Sequence, residues 1–343
     1  MINNHRILIT GATGAIGQEI LRQMNTLGLL NNVTVLVRSS KKNQKKLRPY
    51  SDKINIVYGD ITDNNAMLTA CKNKDIIIHL AAIIPTVSDE DDALIQKINV
   101  QGTRNLITVL ESVSPNAFLL YSSSIAVYGD RLKNPLITIK DTLDLNQQDF
   151  YGQSKINAEA IIQKSNLKWS IFRLTAIMGV GSHKLSGLMF EMPLNTPMEI
   201  ATLQDTARAF IHALDKIHLL QNRIFNLSGG EDSRILYFDF LSKAFKIFGL
   251  GNVDFPEFAF ARQNFHCGYY DDNLLLDEIL QFRQENIRTY FDQLNLSVST
   301  IQKISTRPFA GFIKRYLLSL SKPYKAYKEG NEAQIKYYFG QAN

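Results

Sequence analysis

The stretch Thr10-Gly11-Ala12-Thr13-Gly14-Ala15-Ile16-Gly17 decides the fold of this chain. It follows the aliphatic run 6–10, which predicts a buried strand, and it precedes the helical stretch 18–27. A strand, a glycine-rich turn and a helix in this order can hold a dinucleotide pyrophosphate, because the helix N-terminus offers free N–H groups to an anion. The first glycine permits a tight turn, the second lets the backbone approach the pyrophosphate, and the third lets helix and strand pack closely. Because glycine also serves ordinary tight turns, this motif alone leaves the function open.

Further short runs of β-branched and aliphatic residues recur through the first half of the chain, separated by polar, helix-compatible segments. These runs are residues 33–37, 54–58, 76–80 and 118–122. Strands that alternate with helices predict an α/β fold with a doubly wound parallel sheet, whose ligand binds at the carboxyl ends of the strands. The chain has 343 residues, of which 45% are hydrophobic, and this suffices for one large domain or two lobes that share a core.

The end of the second predicted strand indicates which dinucleotide binds. A carboxylate at this place would bind the adenine-ribose 2′-hydroxyl of NAD, but here Val37 occupies it and Arg38 follows. A guanidinium suits the 2′-phosphate of NADP by charge and by bidentate geometry. We therefore expect NADP(H) to be preferred over NAD(H). The alternative is that Arg38 and the lysines after it form a solvated basic loop.

A proton-transfer group is predicted by Tyr151 and Lys155, which are four residues apart and would share one face of a helix. A phenol has a pKa near ~10, and a nearby ammonium favours the phenolate. The tyrosine can then exchange a proton with a carbonyl or alcohol oxygen while hydride moves. Ser124, which follows the fifth predicted strand, would hydrogen-bond the same oxygen. This spacing also occurs in helices by chance, and it gains weight from its position downstream of the glycine turn.

Together these motifs resemble the extended short-chain dehydrogenase/reductase superfamily, whose members include the NAD(P)-dependent epimerases and dehydratases. The resemblance covers about residues 5–285. Besides the segments quoted above, it rests on residues 59–62 (GDIT), 79–82 (HLAA), 99–106 (NVQGTRNL), 122–129 (SSSIAVYG), 205–209 (DTARA) and 225–230 (FNLSGG).

The resemblance implies roles for individual residues. The catalytic group would be Ser124, Tyr151 and Lys155, with Asn99 organising the helix that carries the last two. Cofactor contacts would come from Gly11, Thr13, Gly14, Ala15, Ile16, Gly17, Arg38, Asp60, Ile61, Leu80, Ala81, Ala82, Tyr151, Lys155, Leu174 and Thr175. The implied architecture is a Rossmann core of residues 1–180 and 198–230 with a smaller C-terminal substrate lobe of residues 181–197 and 231–300. A basic, aromatic helical extension, residues 301–343, would follow.

Departures from the family's motifs narrow the reaction. Dehydratases of this superfamily have Asp-Glu where this chain has Ile125-Ala126, and neither of these side chains can act as an acid or a base. Sugar-nucleotide epimerases usually have an asparagine where this chain has Ala176, whereas Thr175 resembles the variant of reductases and hydroxysteroid-type dehydrogenases. We expect an NADP(H)-dependent carbonyl reductase or alcohol dehydrogenase. A nucleotide-sugar epimerase is one alternative, and a cofactor-binding partner protein that acts through its basic tail is another.

The specificity pocket is expected to come from segments that the core does not need. The candidates are Thr86, Ile177, Met178 and Phe190, because methionine, aromatic and aliphatic side chains form adaptable apolar walls. We therefore expect a fairly apolar small-molecule substrate. The alternative is that these side chains pack into the core.

Composition bounds the remaining functions. Two widely separated cysteines imply no disulfide framework, and with no room for a signal peptide before the first strand they predict a cytoplasmic protein. The six histidines have no metal-ligand spacing, so no metal site is predicted. The first 300 residues are electrically balanced, which disfavours nucleic acid as a partner.

The extension carries the charge imbalance. Residues 301–343 contain eight Lys or Arg and two Asp or Glu, a difference that equals the net charge of +6 of the whole chain. One apolar helix face is predicted there, made of Phe309, Phe312, Ile313, Tyr316, Leu317 and Leu320. The extension could bind an acidic partner, lie on an anionic membrane surface, or simply close the substrate lobe. The resemblance also makes a homodimer possible.

Overall fold

A seven-stranded parallel sheet forms the centre of the computed structural model, which describes residues 4–84, 92–144, 149–181 and 185–340. The strands are β1 Ile7–Thr10, β2 Val33–Val37, β3 Asn55–Tyr58, β4 Ile76–His79, β5 Phe118–Ser124, β6 Leu136–Ile137, β7 Lys168–Leu174, β8 Ala176–Met178, β9 Pro197–Thr202, β10 Arg223–Leu227, β11 Arg234–Leu236 and β12 Tyr269–Tyr270. The order in the large sheet is β10-β7-β5-β4-β1-β2-β3, and small sheets are formed by β11-β9-β8 and by β12-β6. This confirms the predicted doubly wound α/β fold. The strand order reverses at β1, which places the ligand crevice at the carboxyl ends of β1 and β4.

Helices cover both faces of the large sheet and build most of the C-terminal part. They are α1 Ala15–Thr26, α2 Lys41–Leu47, α3 Asn64–Cys71, α4 Asp92–Ile95, α5 Gly102–Val113, α6 Phe150–Gln163, α7 Leu203–Ala213, α8 Ile217–Leu220, α9 Tyr237–Phe248, α10 Leu274–Leu280, α11 Ile287–Ser297, α12 Thr300–Thr306, α13 Ala310–Ser319, α14 Lys322–Glu329 and α15 Glu332–Phe339. A π-helical turn, Gln96–Gln101, links α4 to α5.

The sequence forms this sheet because its strands are apolar on both faces. β1, β2 and β4 are buried at every position, as expected for parallel strands covered on both sides by helices. Alternate residues feed two separate cores: Ile7 and Ile9 pack beneath α1 and α7, and Leu8 packs in the core that includes residues of α3 and α5.

The glycine turn lies directly against the end of β4. Gly11 has a φ of +74°, and a Cβ added there would lie 2.7 Å from the backbone N of Ala81. A Cβ at Gly17 would lie 2.5 Å from the carbonyl oxygen of Gly11. Both positions therefore require glycine, the first for its left-handed backbone and close approach and the second for close approach alone.

The C-terminal part has its own hydrophobic cluster, rich in aromatic residues, which we call the aromatic core. Its buried members include Phe190, Tyr237, Phe245, Phe291 and Leu317. Only part of the predicted apolar face of the extension packs on this core. Leu317 is buried and Ile313 half-buried against it, whereas Phe309, Phe312 and Tyr316 are exposed. No helix among the described residues is long and apolar enough to cross a membrane.

Candidate functional site

The structure brings Ser124, Tyr151 and Lys155 together. Ser124 ends β5, while the other two lie one turn apart at the start of α6. Tyr151 is 9% exposed and shares a side-chain hydrogen bond with Ser124. Lys155 is 2% exposed, and its Nζ donates to the carbonyl of Ser122 at 2.8 Å. The three groups thus form one cluster at the carboxyl edge of the sheet, in which Tyr151 and Lys155 are buried and Ser124 is half-buried.

Burial dominates the acid–base properties of this cluster. It raises the pKa of the Tyr151 phenol to about 12 and lowers the pKa of the Lys155 ammonium to about 7. The expected lowering of the Tyr151 pKa does not occur, because desolvation outweighs the hydrogen bond from Ser124 and the charge of Asp149 raises the pKa further. The phenol is therefore protonated at neutral pH and can donate a proton to a developing alkoxide.

The cofactor-free protein is expected to gain stability relative to a Lys155→Met variant as the pH rises from about 7 to 10.5. In this window the unfolded chain keeps a proton on Lys155 that the folded chain has lost, so stability rises with pH. The destabilisation caused by burying the charged ammonium of Lys155 is complete below about pH 7 and absent above about pH 10.5. The slope for this group is on the order of 1 kcal/mol per pH unit. Urea titrations of both proteins across the window measure it, and a pH-independent difference would contradict the assignment.

Asn99 acts as a positioning residue between two parts of the site. Its Oδ1 accepts from the backbone N–H of Ile83 at 2.7 Å, and its Nδ2 donates to the carbonyl of the same residue at 3.0 Å. Nδ2 also donates to Ser154 Oγ at 2.9 Å, and Ser154 in turn donates to the carbonyl of Tyr151 at 2.8 Å. Asn99 therefore ties the segment after β4 to the helix that carries Tyr151.

The residues after β4 and the glycine turn share a second polar chain. Thr10 Oγ1 lies 2.7 Å from His79 Nδ1 and accepts from the N–H of Ala81 at 3.3 Å. His79 Nε2 lies 3.1 Å from Thr103 Oγ1. Burial lowers the pKa of His79 to about 3, so this histidine is neutral and structural. This row of hydrogen bonds fixes Leu80, Ala81 and Ala82 beside the glycine turn.

The glycine turn fits a dinucleotide pyrophosphate. Its first glycine has a φ of +74° and packs against the end of β4, where a Cβ would clash, so it sets the tight turn that follows β1. Gly14 is the N-cap of α1, whose first turn has no capping side chain and no acidic residue. The N–H groups of this turn, next to the exposed Gly14 and Ala15, are thus available to an anion. Thr13 and Ile16 are half-buried in the same turn.

Two basic side chains come from the segment after β2. Arg38 follows β2 and is exposed. Lys46, on α2, donates from Nζ to the carbonyl of Thr13 at 2.6 Å. Lys46 did not figure in the sequence-based predictions, and only the fold brings it to the turn.

The remaining predicted cofactor residues lie at strand ends and are already engaged in contacts. Asp60 Oδ1 accepts from the backbone N–H of Thr62 at 3.0 Å, and Ile61 is buried. Leu174 is buried at the end of β7. Thr175 Oγ1 donates to the carbonyl of Glu199 at 2.5 Å, so its hydroxyl ties β7 to β9.

The predicted substrate residues occupy different environments. Ile177 and Met178 are half-buried on β8. Phe190 is fully buried, and its ring centroid lies 5.0 Å from that of Phe255 and 4.9 Å from that of Phe260, so it offers no accessible surface to a ligand. Thr86 lies outside the described residues.

A histidine from the C-terminal part completes the surroundings of Tyr151. The ring centroid of His266 lies 6.4 Å from that of Tyr151, and its Nδ1 lies 3.4 Å from Asp149 Oδ2. Asp149 is the N-cap of α6 and accepts from the N–H of Gly152 at 2.8 Å. Burial raises the pKa of Asp149, but the hydrogen bond and charge of His266 outweigh it and leave the pKa below its ordinary value. His266 was missed because a lone histidine has no diagnostic spacing, whereas Asp149 had a signal as a helix N-cap.

The loop that carries His266 is held by the extension. Gln263 Nε2 donates to the carbonyl of Tyr337 at 3.0 Å, and Asn264 Nδ2 donates to the same oxygen at 2.5 Å. The N–H of Arg262 donates to the carbonyl of Tyr338 at 2.8 Å. Helix α15 therefore supports the loop that carries His266 beside Tyr151.

A buried ionic network lies behind the catalytic cluster. The Arg173 guanidinium donates to both carboxylate oxygens of Glu159 at 3.0 and 2.6 Å and to the Tyr128 hydroxyl at 2.7 Å. Ser123 Oγ donates to Glu159 Oε1 at 2.5 Å. Arg173 and Glu159 are 3% and 1% exposed at their side chains. Because Glu159 lies one turn after Lys155 on α6, its charge partly opposes the lowering of the lysine pKa.

A cavity of about 540 Å³ opens beside this region. Its polar lining includes Arg131, Lys133 and Arg262 together with Asp130 and Asp144. The remaining lining residues come from the segment after Tyr128 and from Gln263. The cavity thus borders the loop of His266.

The sequence matches the profile of the family described as NAD dependent epimerase/dehydratase family over residues 7–228. This match covers more than half of the chain, including the glycine turn and the Ser-Tyr-Lys cluster. The chain belongs to this family. The assignment confirms the resemblance to the extended short-chain dehydrogenase/reductase superfamily, whose members are NAD(P)-dependent enzymes.

Two proteins with similar sequences are named as dehydrogenases. The chain is 29% identical to a D-erythronate dehydrogenase of Haemophilus influenzae, over 48% of this chain and 50% of that protein. It is 30% identical to a 3-beta-hydroxysteroid dehydrogenase of Mycolicibacterium neoaurum, over 54% of this chain and 51% of that protein. The chain thus matches about half the length of each.

The fold also agrees with solved structures of the family. The dTDP-glucose 4,6-dehydratase DesIV of Streptomyces venezuelae, with NAD and TYD bound, superposes with a TM-score of 0.70 at 20% identity, covering 89% of this chain and 98% of that one. At this identity the likeness establishes the fold alone.

Proposed function

We propose that the protein is an NADP(H)-dependent oxidoreductase that interconverts a carbonyl and an alcohol on a fairly apolar small molecule. The observation that carries the proposal is the cluster of Ser124, Tyr151 and Lys155 at the carboxyl edge of the sheet, with the tyrosine and the lysine buried. The names of the curated dehydrogenase relatives support it. So does Ile125-Ala126, because these side chains offer no acid or base for the expulsion of water.

The chain's own groups have distinct tasks in this reaction. Tyr151, protonated at neutral pH, donates its phenolic proton to the substrate oxygen during reduction and accepts it back during oxidation. Ser124 holds the same oxygen by a hydrogen bond. Lys155 fixes the end of β5 through the Ser122 carbonyl, and its Nζ lies 5.9 Å from the centre of the Tyr151 ring. Asn99 and Asp149 hold the helix on which the phenol is mounted.

The glycine turn would hold the pyrophosphate through the N–H groups of Ala15 and Ile16 at the start of α1, since the N–H of Gly14 already donates to the carbonyl of Gly11 at 2.9 Å. When bound, the nicotinamide supplies or accepts the hydride. Asp60, next to Ile61, would bind the adenine end. Arg38 and Lys46 would bind the 2′-phosphate of NADP, since one follows β2 where a carboxylate would select NAD and the other reaches the turn itself.

An Arg38→Glu substitution is expected to weaken NADPH binding about 10- to 100-fold and to leave NADH binding nearly unchanged. A hydrogen bond to a charged group contributes about 1.5–3 kcal/mol, and about 1.4 kcal/mol corresponds to a tenfold change. Fluorescence titration with both nucleotides measures the ratio. Arg48→Glu is the matched control, because this arginine is also exposed but lies after α2. If the substitution weakens the binding of NADPH and NADH equally, or weakens neither, the result would argue against a preference for NADP(H).

Apolar side chains on three segments outside the catalytic cluster support the apolar character of the substrate. Phe265 is partly buried against the aromatic core and stacks on His266 with ring centroids 4.9 Å apart. Ile84 is 64% exposed after β4. Ile177 and Met178 complete the set as half-buried residues.

A nucleotide-sugar epimerase is the second candidate, and the cavity beside the His266 loop favours it. Arg131, Lys133 and Arg262 in its lining could bind a diphosphate. Two observations weigh against it: Arg131 pairs with Asp141 at 2.5 Å, and two carboxylates share the lining.

A substrate panel tests the proposal. The protein is incubated with NADP⁺ or NAD⁺ and D-erythronate, a 3-beta-hydroxysteroid or a UDP-sugar, and formation of reduced cofactor is followed by absorbance. Net reduction with the steroid alcohol, faster with NADP⁺, is the expected result. Thermal stabilisation by UDP together with epimerised sugar and no net reduction would replace the proposal with the second candidate.

A further inference from the structure

One side of the helical run 300–319 is buried and the other is exposed. The run consists of α12, the turn Arg307–Phe309 and α13. Its inner side packs on the aromatic core through Ile313 and Leu317. Its outer side carries large apolar side chains that are 60–80% exposed. We call these residues the outer apolar face: Ile301, Ile304, Phe309, Phe312 and Tyr316.

The run is anchored on its inner side, so the exposure of the outer face is not a consequence of loose packing. The carbonyl of Lys303 lies against Gly249, where an added Cβ would be 2.5 Å from the oxygen. Lys314 pairs with Asp254. Leu317 is 2% exposed. A helix held in this way presents its outer face as a fixed surface.

The charge of this part of the chain has a single sign. Residues 293–328 contain seven Lys or Arg and no Asp or Glu. Arg307 and Arg315 lie within the run and are exposed, and Lys325 on α14 is 71% exposed. Lys314 pairs with Asp254 and Lys325 with Glu329, both carboxylates from outside the stretch, and the charged side chains within the helical run itself are all cationic.

These observations together identify what covers the face. Contiguous exposed apolar side chains mark an interaction surface. A second copy would bring the same arginines together across a symmetric contact, and like charges there are unfavourable. An anionic bilayer complements the arginines and accepts aromatic and aliphatic side chains at its interface. Since no described helix is able to cross a membrane, the run would lie on the surface.

We propose that the outer apolar face docks the protein onto an anionic lipid bilayer, with Arg307 and Arg315 binding lipid headgroups. This docking does not depend on the proposed reaction, because none of the residues involved belongs to the catalytic cluster.

Vesicle co-sedimentation of the full chain tests the proposal. The protein is expected to bind phosphatidylcholine vesicles that contain phosphatidylglycerol and to stay in solution with phosphatidylcholine alone. An Ile301→Ser/Phe312→Ser variant is expected to lose on the order of tenfold in binding. Arg307→Gln and Arg315→Gln are each expected to lose about fivefold, and added salt is expected to weaken the wild type.

The matched control is Leu27→Ser, since this leucine is 59% exposed at the end of α1, far from residue 300 in the chain. It is expected to bind like the wild type. The proposal is overturned if the wild type ignores anionic vesicles, if neutral vesicles bind equally well, or if the face variant binds unchanged. A dimer in sedimentation equilibrium that the face variant converts to a monomer would also overturn it, in favour of a second copy.

Discussion

Replacing Tyr151 by phenylalanine is expected to lower kcat by about 100- to 10,000-fold, the usual contribution of a positioned acid or base. The substitution removes the hydroxyl that shares a hydrogen bond with Ser124 and leaves the ring in its buried place. Because the phenol is protonated at neutral pH, the loss is expected in the reduction direction as the loss of a proton donor. The measurement is kcat with the substrate that the panel identifies.

Cofactor binding is expected to stay within a few-fold of the wild type in this variant, because the glycine turn holds the pyrophosphate through its backbone. Tyr324→Phe on α14 is the matched control and is expected to keep full activity, since it removes the same atom outside the site. A Tyr151→Phe enzyme that retains more than about a tenth of its turnover would refute the assigned proton donor.

Replacing Glu159 by alanine is expected to destabilise the protein by about 3–5 kcal/mol, because it leaves the Arg173 guanidinium buried without its carboxylate. The guanidinium is 3% exposed, so water cannot replace the lost partner. Ser123 loses its acceptor as well. Urea denaturation measures the free energy of unfolding of the variant and of the wild type.

The chain offers an exposed pair of the same chemistry as the control. Glu257 lies 3.1 Å from Arg262, with side chains 72% and 58% exposed. Glu257→Ala is expected to change the free energy of unfolding by less than about 1 kcal/mol, the ordinary value for a surface pair. Similar effects of the two substitutions would contradict the importance of burial in the inner network.

The parallel sheet was predictable because its strands are continuous apolar runs that need cover on both faces. β2 begins and ends where the pattern places it, and β1, β3 and β4 agree within one residue at each end. The C-terminal part was not predictable to the same degree. Its aromatic core contains residues as distant in the chain as Phe190 and Leu317. A local sequence pattern does not indicate contacts between such distant segments. For the same reason, the sequence pattern predicted a single apolar helix face in the extension, whereas the fold buries some of its side chains, such as Leu317, and exposes others, such as Phe312.

The catalytic cluster was predictable from spacing, but its acid–base properties were not. A pattern places Lys155 one turn after Tyr151, yet the pKa of each depends on how much water the surrounding fold removes. That quantity depends on residues such as Tyr121, whose hydroxyl accepts from Lys155 Nζ at 3.3 Å. The positions of His266 and Lys46 were likewise not predictable from the sequence, since only the fold brings them to the site.

The hydrogen bonds from Gln263 and Asn264 to the carbonyl of Tyr337 have a consequence for biosynthesis. The nucleotide crevice uses strands made early in translation, whereas the wall beside the phenol depends on backbone oxygens of α15. In a ribosome-bound chain that stops before residue 332, this wall lacks those oxygens. Nucleotide binding should therefore appear in nascent chains before turnover does.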